Sequence, residues 1–147
     1  YQPDRKFQRG YTVDVTSVHT PVQATQVEEK IDIKALMKKA DSERGKQDIK
    51  KCSMCHTFNA GEPNRVGPNL WDVVGSRKAS KPGFTYSNAL SAKGGEWTYE
   101  ELLGLIRSPR TFLPGTKMAF IGYKNAQDAA DIVAYLRTLS NSPKPLP

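Results

Sequence analysis

The sequence predicts a mostly α fold in which short helices and long loops pack around something other than their own side chains. Three observations predict it. Apolar residues recur at three- and four-residue spacing, but only in separate short stretches. No internal repeat and no alternation of strand and helix links those stretches. Only 37% of the 147 residues are hydrophobic, while Gly 11 and Pro 10 punctuate the connections. A chain of this kind has trouble building a core from side chains alone, and a bound apolar cofactor would resolve the shortage.

Residues 1 to about 30 read as an extended linker or tether, polar and basic, with Tyr11, Val13 and Val15 alternating as in a single short strand. From Ile31 the period turns helical, with Ile33, Leu36, Met37 and Ala40 in register. Asp41 and Ser42 offer a cap for a second helix, Ser42 to Lys51, that runs into Cys52. Gly45 weakens that helix by about 1 kcal/mol relative to Ala, a flaw unless another helix must approach its backbone closely. Residues 57–80 are loop-rich, with a short helix expected at Leu70–Val74 and another at Ser87–Ala92. Thr98 and Glu101 form a capping box for a helix that ends near Ser108, because Pro109 disfavours helical geometry before it. Asn125 caps the last helix, whose stripe is Ile132, Val133, Tyr135, Leu136 and Leu139. Residues 141–147 read as an extended tail. The folded domain is therefore expected over residues 31–140, with its core at about 42–140.

No apolar run approaches the roughly 20 residues of a membrane-spanning helix, and no signal-peptide pattern is present. The chain starts at Tyr1 rather than Met, which suggests processing or truncation upstream. The formal charge is +7. Residues 1–40 hold 7 basic and 5 acidic side chains, and the remainder 15 and 10. No recognition element accompanies the charge, which argues against nucleic acid as a partner.

Cys52 and Cys55 are the only cysteines, which excludes a disulfide scaffold. Three chemistries compete for Cys52-Ser53-Met54-Cys55-His56. A thioredoxin-like redox pair wants the motif at a helix start after a strand, whereas here a helix precedes it. Zinc would take Cys52, Cys55 and His56 but prefers a separate later pair, and the other histidine, His19, lies in the tether. The third chemistry is covalent haem attachment. Two thiols add to the vinyl groups on one porphyrin edge, and the next residue, His56, then sits under the iron. An electron carrier needs a second axial ligand from the other side, and a thioether raises the potential. Met37 belongs to a helical stripe, and Met54 lies between the cysteines. Met118 follows His56 by 62 positions in a Pro114-Gly115 turn that can aim a side chain inward.

The motifs together resemble the class I cytochromes c. Those that carry the resemblance are Cys52–His56, Gly67-Pro68-Asn69-Leu70, Pro82-Gly83-Phe84-Thr85-Tyr86, Trp97, Pro114–Met118 with Phe120 and Gly122, and Asp131–Leu136. The resemblance implies a mostly α fold wrapped around one haem c, with iron between His56 and Met118 and thioethers at Cys52 and Cys55. It implies that the Pro68 carbonyl fixes the His56 ring, that Tyr86 and Trp97 bond a buried propionate, and that Thr116 closes that side. It also sets Phe120 beside the cofactor and pairs Gly45 with Tyr135 where the first and last helices cross. The chain departs from the family at Ser76, where an arginine is common. Whether Arg77 substitutes is open. Leu90 and Leu105 replace polar residues near the Met ligand, and Ile49 replaces an aromatic at a helix contact.

The resemblance further implies a one-electron carrier rather than an enzyme, and a docking ring of Lys46, Lys51, Arg65, Arg110, Lys117 and Lys124. Such a ring steers a domain onto acidic patches of redox partners. Val27–Ala40, Pro63–Leu70 and the closing Pro143–Pro147 are similar to the membrane-anchored cytochrome cy type of alphaproteobacteria. That similarity implies a donor of the quinol-oxidising bc1 type, cytochrome c oxidase as acceptor, and the periplasmic side of the inner membrane. The mitochondrial intermembrane space is the alternative. The membrane would be reached through an anchor that this chain does not contain. A tether of about 30 flexible residues spans roughly 30 Å on average and about 100 Å when stretched, holding the domain at an effective concentration on the order of mM. Competing readings are a haem peroxidase, a cytochrome module of a dehydrogenase, and a freely diffusing cytochrome c.

Overall fold

The computed structural model describes residues 31–147; the expected tether, with its alternation at Tyr11–Val15 and with His19, lies outside the described residues. The described residues form α1 (Ile33–Lys39), α2 (Ser42–Asp48), a 3₁₀ turn (Ile49–Met54), α3 (Asn88–Lys93), α4 (Tyr99–Arg107), α5 (Pro109–Phe112) and α6 (Ala126–Thr138). Among them the one paired stretch of extended backbone is an isolated bridge between Arg77 and Glu96.

Side-chain caps start the main helices. Asp41 accepts from the Glu43 and Arg44 amides, Ser87 from Leu90, Thr98 from Glu101, and Asn125 from Gln127 and Asp128. Each satisfies amides that a helix start leaves unpaired. Three boundaries differ from the sequence reading. The helix expected to reach Lys51 is α-helical only to Asp48 and tightens into the 3₁₀ turn that carries Cys52. The helix expected at Leu70–Val74 is a turn, because Asp72 sits at φ 60 and its amide is taken by the Leu139 carbonyl at 2.7 Å. Pro109 ends α4 as expected but also opens α5, where its missing N–H costs nothing.

The core is built where α6 meets α2, α4 and α1. Ala129, Ala130, Ile132, Val133 and Leu136 of α6 pack with Leu102, Leu103 and Ile106 of α4, and with Ile49 and Met37. Met37 is 3% exposed and the Leu36 carbonyl accepts from Gln127 Nε2 at 3.1 Å, so α1 shares this core. A Cβ on Gly45 would run into the backbone carbonyl of Asp131, so glycine is what lets α2 and α6 cross so closely. The facing residue is thus Asp131, one turn before the expected Tyr135, which packs half-buried at the edge of the core.

Asp131 also ties the crossing together through polar bonds. Its buried carboxylate accepts the Asp41 amide and Arg44 Nε, both at 2.9 Å. The tail after α6 is exposed but attached: the Tyr99 hydroxyl meets the carbonyls of Lys144 and Pro145 at 3.1 and 3.0 Å.

Candidate functional site

The 3₁₀ turn presents Cys52, Cys55 and His56 as one compact step of chain. The Cys55 and His56 amides both donate to the Cys52 carbonyl, at 3.0 and 2.9 Å. No disulfide joins the two cysteines. Burial, and then the neighbouring Cys55, push the Cys52 thiol up to about 11. A thioredoxin-type nucleophile needs the opposite shift and a helix N-terminus; here the motif ends a helix.

The loop 65–70 wraps this turn. The Gly67 amide donates to the Cys55 carbonyl at 2.7 Å and the Leu70 amide to Thr57 at 2.8 Å. A Cβ on Gly67 would stand 2.7 Å from both ring nitrogens of His56, so only glycine permits this approach. His56 Nδ1 donates to the Pro68 carbonyl at 2.7 Å. That bond fixes the tautomer and leaves the Nε2 lone pair as the ring's ligating atom. Burial favours the neutral ring and lowers the His56 pKa, an effect the Pro68 bond partly offsets.

Met118 lies half-buried on a separate loop. Gly115 at φ 90 makes the turn before it, and the Met118 amide donates to Thr116 Oγ1 at 3.1 Å. Gly122, at φ 104, brings this loop against the Arg107 carbonyl at the end of α4, where a Cβ would collide. Phe120 stacks at 5.3 Å from Tyr123, whose hydroxyl bonds the Asp48 carbonyl at 2.8 Å. Tyr123 therefore locks the Met118 loop to the end of α2, a role the sequence did not suggest.

Trp97 and Tyr86 complete the set. The Trp97 backbone is held by Ser76 and Gly75, each at 2.8 Å, and its indole is buried. Tyr86 accepts the Lys81 amide at 2.9 Å, and burial raises its phenol pKa. Neither the indole N–H nor the Tyr86 hydroxyl proton has an acceptor among the described residues. A donor with no acceptor in the protein is open to a ligand, so both suit an anionic group of a bound cofactor. The imidazole with one free lone pair, the paired thiols and these two donors fit a covalently bound haem.

The six cations of the expected docking ring are all exposed. Lys51 and Arg65 flank the cysteine turn, with Arg65 Nη1 on the Ser53 carbonyl at 2.9 Å. Lys117 precedes Met118 and reaches the Thr85 carbonyl at 3.4 Å. Arg77 is exposed as well, and the cation that turns inward beside Trp97 is Lys78. Leu90 and Leu105 pack at the rim of the core, while Ile49 lies inside it.

The family model for cytochrome c matches residues 42–140. The chain belongs to the cytochrome c family. It is 43% identical over 130 residues to a cytochrome c homolog of Rickettsia bellii, spanning 88% of this chain and 75% of that one. Against a cytochrome c homolog of Bradyrhizobium diazoefficiens it is 48% identical over 116 residues, 78% of this chain and 63% of the relative. Among solved structures it resembles cytochrome cH from Methylobacterium extorquens, with a TM-score of 0.63, 36% identity, and coverage of 67% of this chain and 99% of that one. This cytochrome is an electron carrier rather than an enzyme, and it binds haem c covalently, with Cys52 and Cys55 in the attachment motif. No helix among the described residues is long and apolar enough to cross a membrane.

Proposed function

We propose that this cytochrome carries single electrons from a bc1-type quinol-oxidising complex to cytochrome c oxidase, on the periplasmic side of a membrane to which it is tethered. The bound haem supplies the reversible one-electron couple. Cys52 and Cys55 would hold it through thioethers, His56 and Met118 would ligate its iron, and Tyr86, Trp97 and Thr116 would line its propionate side. Pro68 orients the His56 ring, and Phe120 covers the cofactor on the Met118 loop. The observation that carries the reading is the His56 ring packed against Gly67 and bonded through Nδ1 to the Pro68 carbonyl, with Nε2 left to ligate.

A thioether ligand favours reduced iron and so a high potential, as an acceptor of quinol-derived electrons needs. Lys46, Lys51, Arg65, Arg110, Lys117 and Lys124 give the domain a cationic face for acidic partners. Two experiments test this. The ferric holoprotein is expected to show the weak long-wavelength Met–iron band, lost in Met118→Ala; a wild-type protein without it refutes the ligand assignment. Haem in native membranes is expected to stay in the pellet through a high-salt wash and to require detergent. Release by salt alone would mean a diffusing shuttle held by its lysines.

A further inference from the structure

The Lys78 side chain is only 2% exposed, the sole lysine buried among the described residues. Its Nζ donates to the carbonyls of Gly94 and Glu96 at 2.9 and 3.1 Å, and to Glu101 Oε1 at 2.9 Å. It lies 5.2 Å from the centre of the Trp97 ring. The ammonium therefore has no donor left for another ligand, and what it presents to the surroundings is charge on the indole face. Burying a lysine is costly, and a loop staple alone could be made with a neutral donor. The neighbouring Arg77 is exposed, so the chain buries one particular cation of the two.

We infer that Lys78 is a positioning residue for the haem: its charge on the Trp97 face strengthens the indole N–H as a donor to a propionate and helps set the reduction potential. This rests on the proposed role of Trp97. A cation is drawn to the indole face by the ring quadrupole and in turn pulls electron density from the ring, which makes the N–H more acidic. Oxidised haem carries one more positive charge than reduced haem, so a fixed cation favours the reduced form. Glu101 balances that charge from the other side.

The test is equilibrium redox titration of the holoprotein. Lys78→Met is expected to lower the reduced-to-oxidised ratio at fixed potential by roughly threefold or more. Glu101→Gln, which leaves Lys78 its two carbonyls and unbalances its charge, is expected to move the ratio the other way. Loosening of the loop would admit water and shift both variants downward, so a common direction, or no shift in Lys78→Met, overturns the proposal. If Lys78→Met yields no holoprotein, Glu101→Gln decides alone: a rise supports the assignment, and no change or a fall overturns it. Trp97→Phe tests the underlying reading separately. If that variant leaves the potential as in wild type, the Trp97 role is wrong. If it shifts the potential but Lys78→Met causes the same shift in the Trp97→Phe background as in wild type, Lys78 does not act through the indole.

Discussion

The α2–α6 crossing and the loop cluster around His56 are held by different physics. At the crossing, backbones touch: Gly45 faces the Asp131 carbonyl, and Ala129, Ala130, Ile132 and Val133 are buried almost completely around it. Stability there comes from many apolar contacts in one cooperative unit. The loops 57–86 reach the core through Val73 and Val74, with Phe58, Leu70 and Trp71 at its edge, and are otherwise laced by polar bonds. Thr57 to Pro63, Asn69 to Asn59, Asn64 to Pro82 and His56 to Pro68 tie one loop segment to the next. The crossing should therefore fail globally and the loops locally. A carrier gains from this division, because its helices fix the frame while the loops shape themselves to the cofactor.

The largest effect is expected from Gly45→Val. A branched side chain would drive α2 away from the Asp131 carbonyl and open the tightest part of the core. The cost is about 3 kcal/mol or more, a large share of a small domain's stability. Urea titration of the holoprotein should show a lower midpoint at unchanged slope, or no holoprotein at all. A normal midpoint would mean that the crossing is not the cooperative unit.

That contrast also explains what could be read from the sequence. The crossing announced itself through local signals: caps at Asp41, Thr98 and Asn125, a helical stripe from Ile132 to Leu139, and a glycine where none should be. The haem motif was legible because its three functional residues are neighbours in the chain. Lys78 was not legible. A lysine in a Gly- and Ser-rich stretch looks solvated, and its burial is decided by carbonyls 16 and 18 residues away and a carboxylate 23 away. Tyr123 reaches Asp48 across 75 residues, a contact no pattern encodes. The missing helix at Leu70–Val74 has the same cause, since the Asp72 amide is claimed by Leu139 from the far end of α6. Long-range polar partners, rather than propensity, decided each of these.

On the loop side, Asn64→Ala is expected to cost about 1–2 kcal/mol. Asn64 donates to the Pro82 carbonyl at 3.0 Å and accepts the Asn69 amide at 2.9 Å, so it joins two loops through both ends of one amide. Hydrogen exchange should quicken in residues 64–86 while α6 stays protected. Equal acceleration in α6 would erase the proposed distinction between the two regions.

A smaller, pH-dependent effect is expected at Glu101. Burial pushes its carboxyl up, but the Lys78 bond and charge outweigh this, with help from Lys93, and hold it below the usual glutamate value. A carboxyl depressed in the folded state stabilises above its unfolded pKa of about 4.3, and that contribution disappears as pH falls through the folded value. Wild type should therefore be more stable than Glu101→Gln at pH 6 and lose that advantage in acid. An advantage that persists at pH 3 would mean the carboxylate is not what the pair depends on.

The tail supplies the smallest effect and the sharpest boundary. Tyr99→Phe removes the one hydroxyl proton shared between the Lys144 and Pro145 carbonyls. Arg137 Nε still donates to Lys144, so one of the two attachments survives. The bonds are solvent-exposed, where water replaces a lost partner cheaply, and the cost should stay below about 1 kcal/mol. The midpoint in urea should hardly move, while hydrogen exchange at Lys144 and Leu146 should quicken several-fold. If the midpoint instead falls as far as in Asn64→Ala, the tail is part of the cooperative fold. The division then runs not between helices and loops but between segments anchored to α6 and segments that are not.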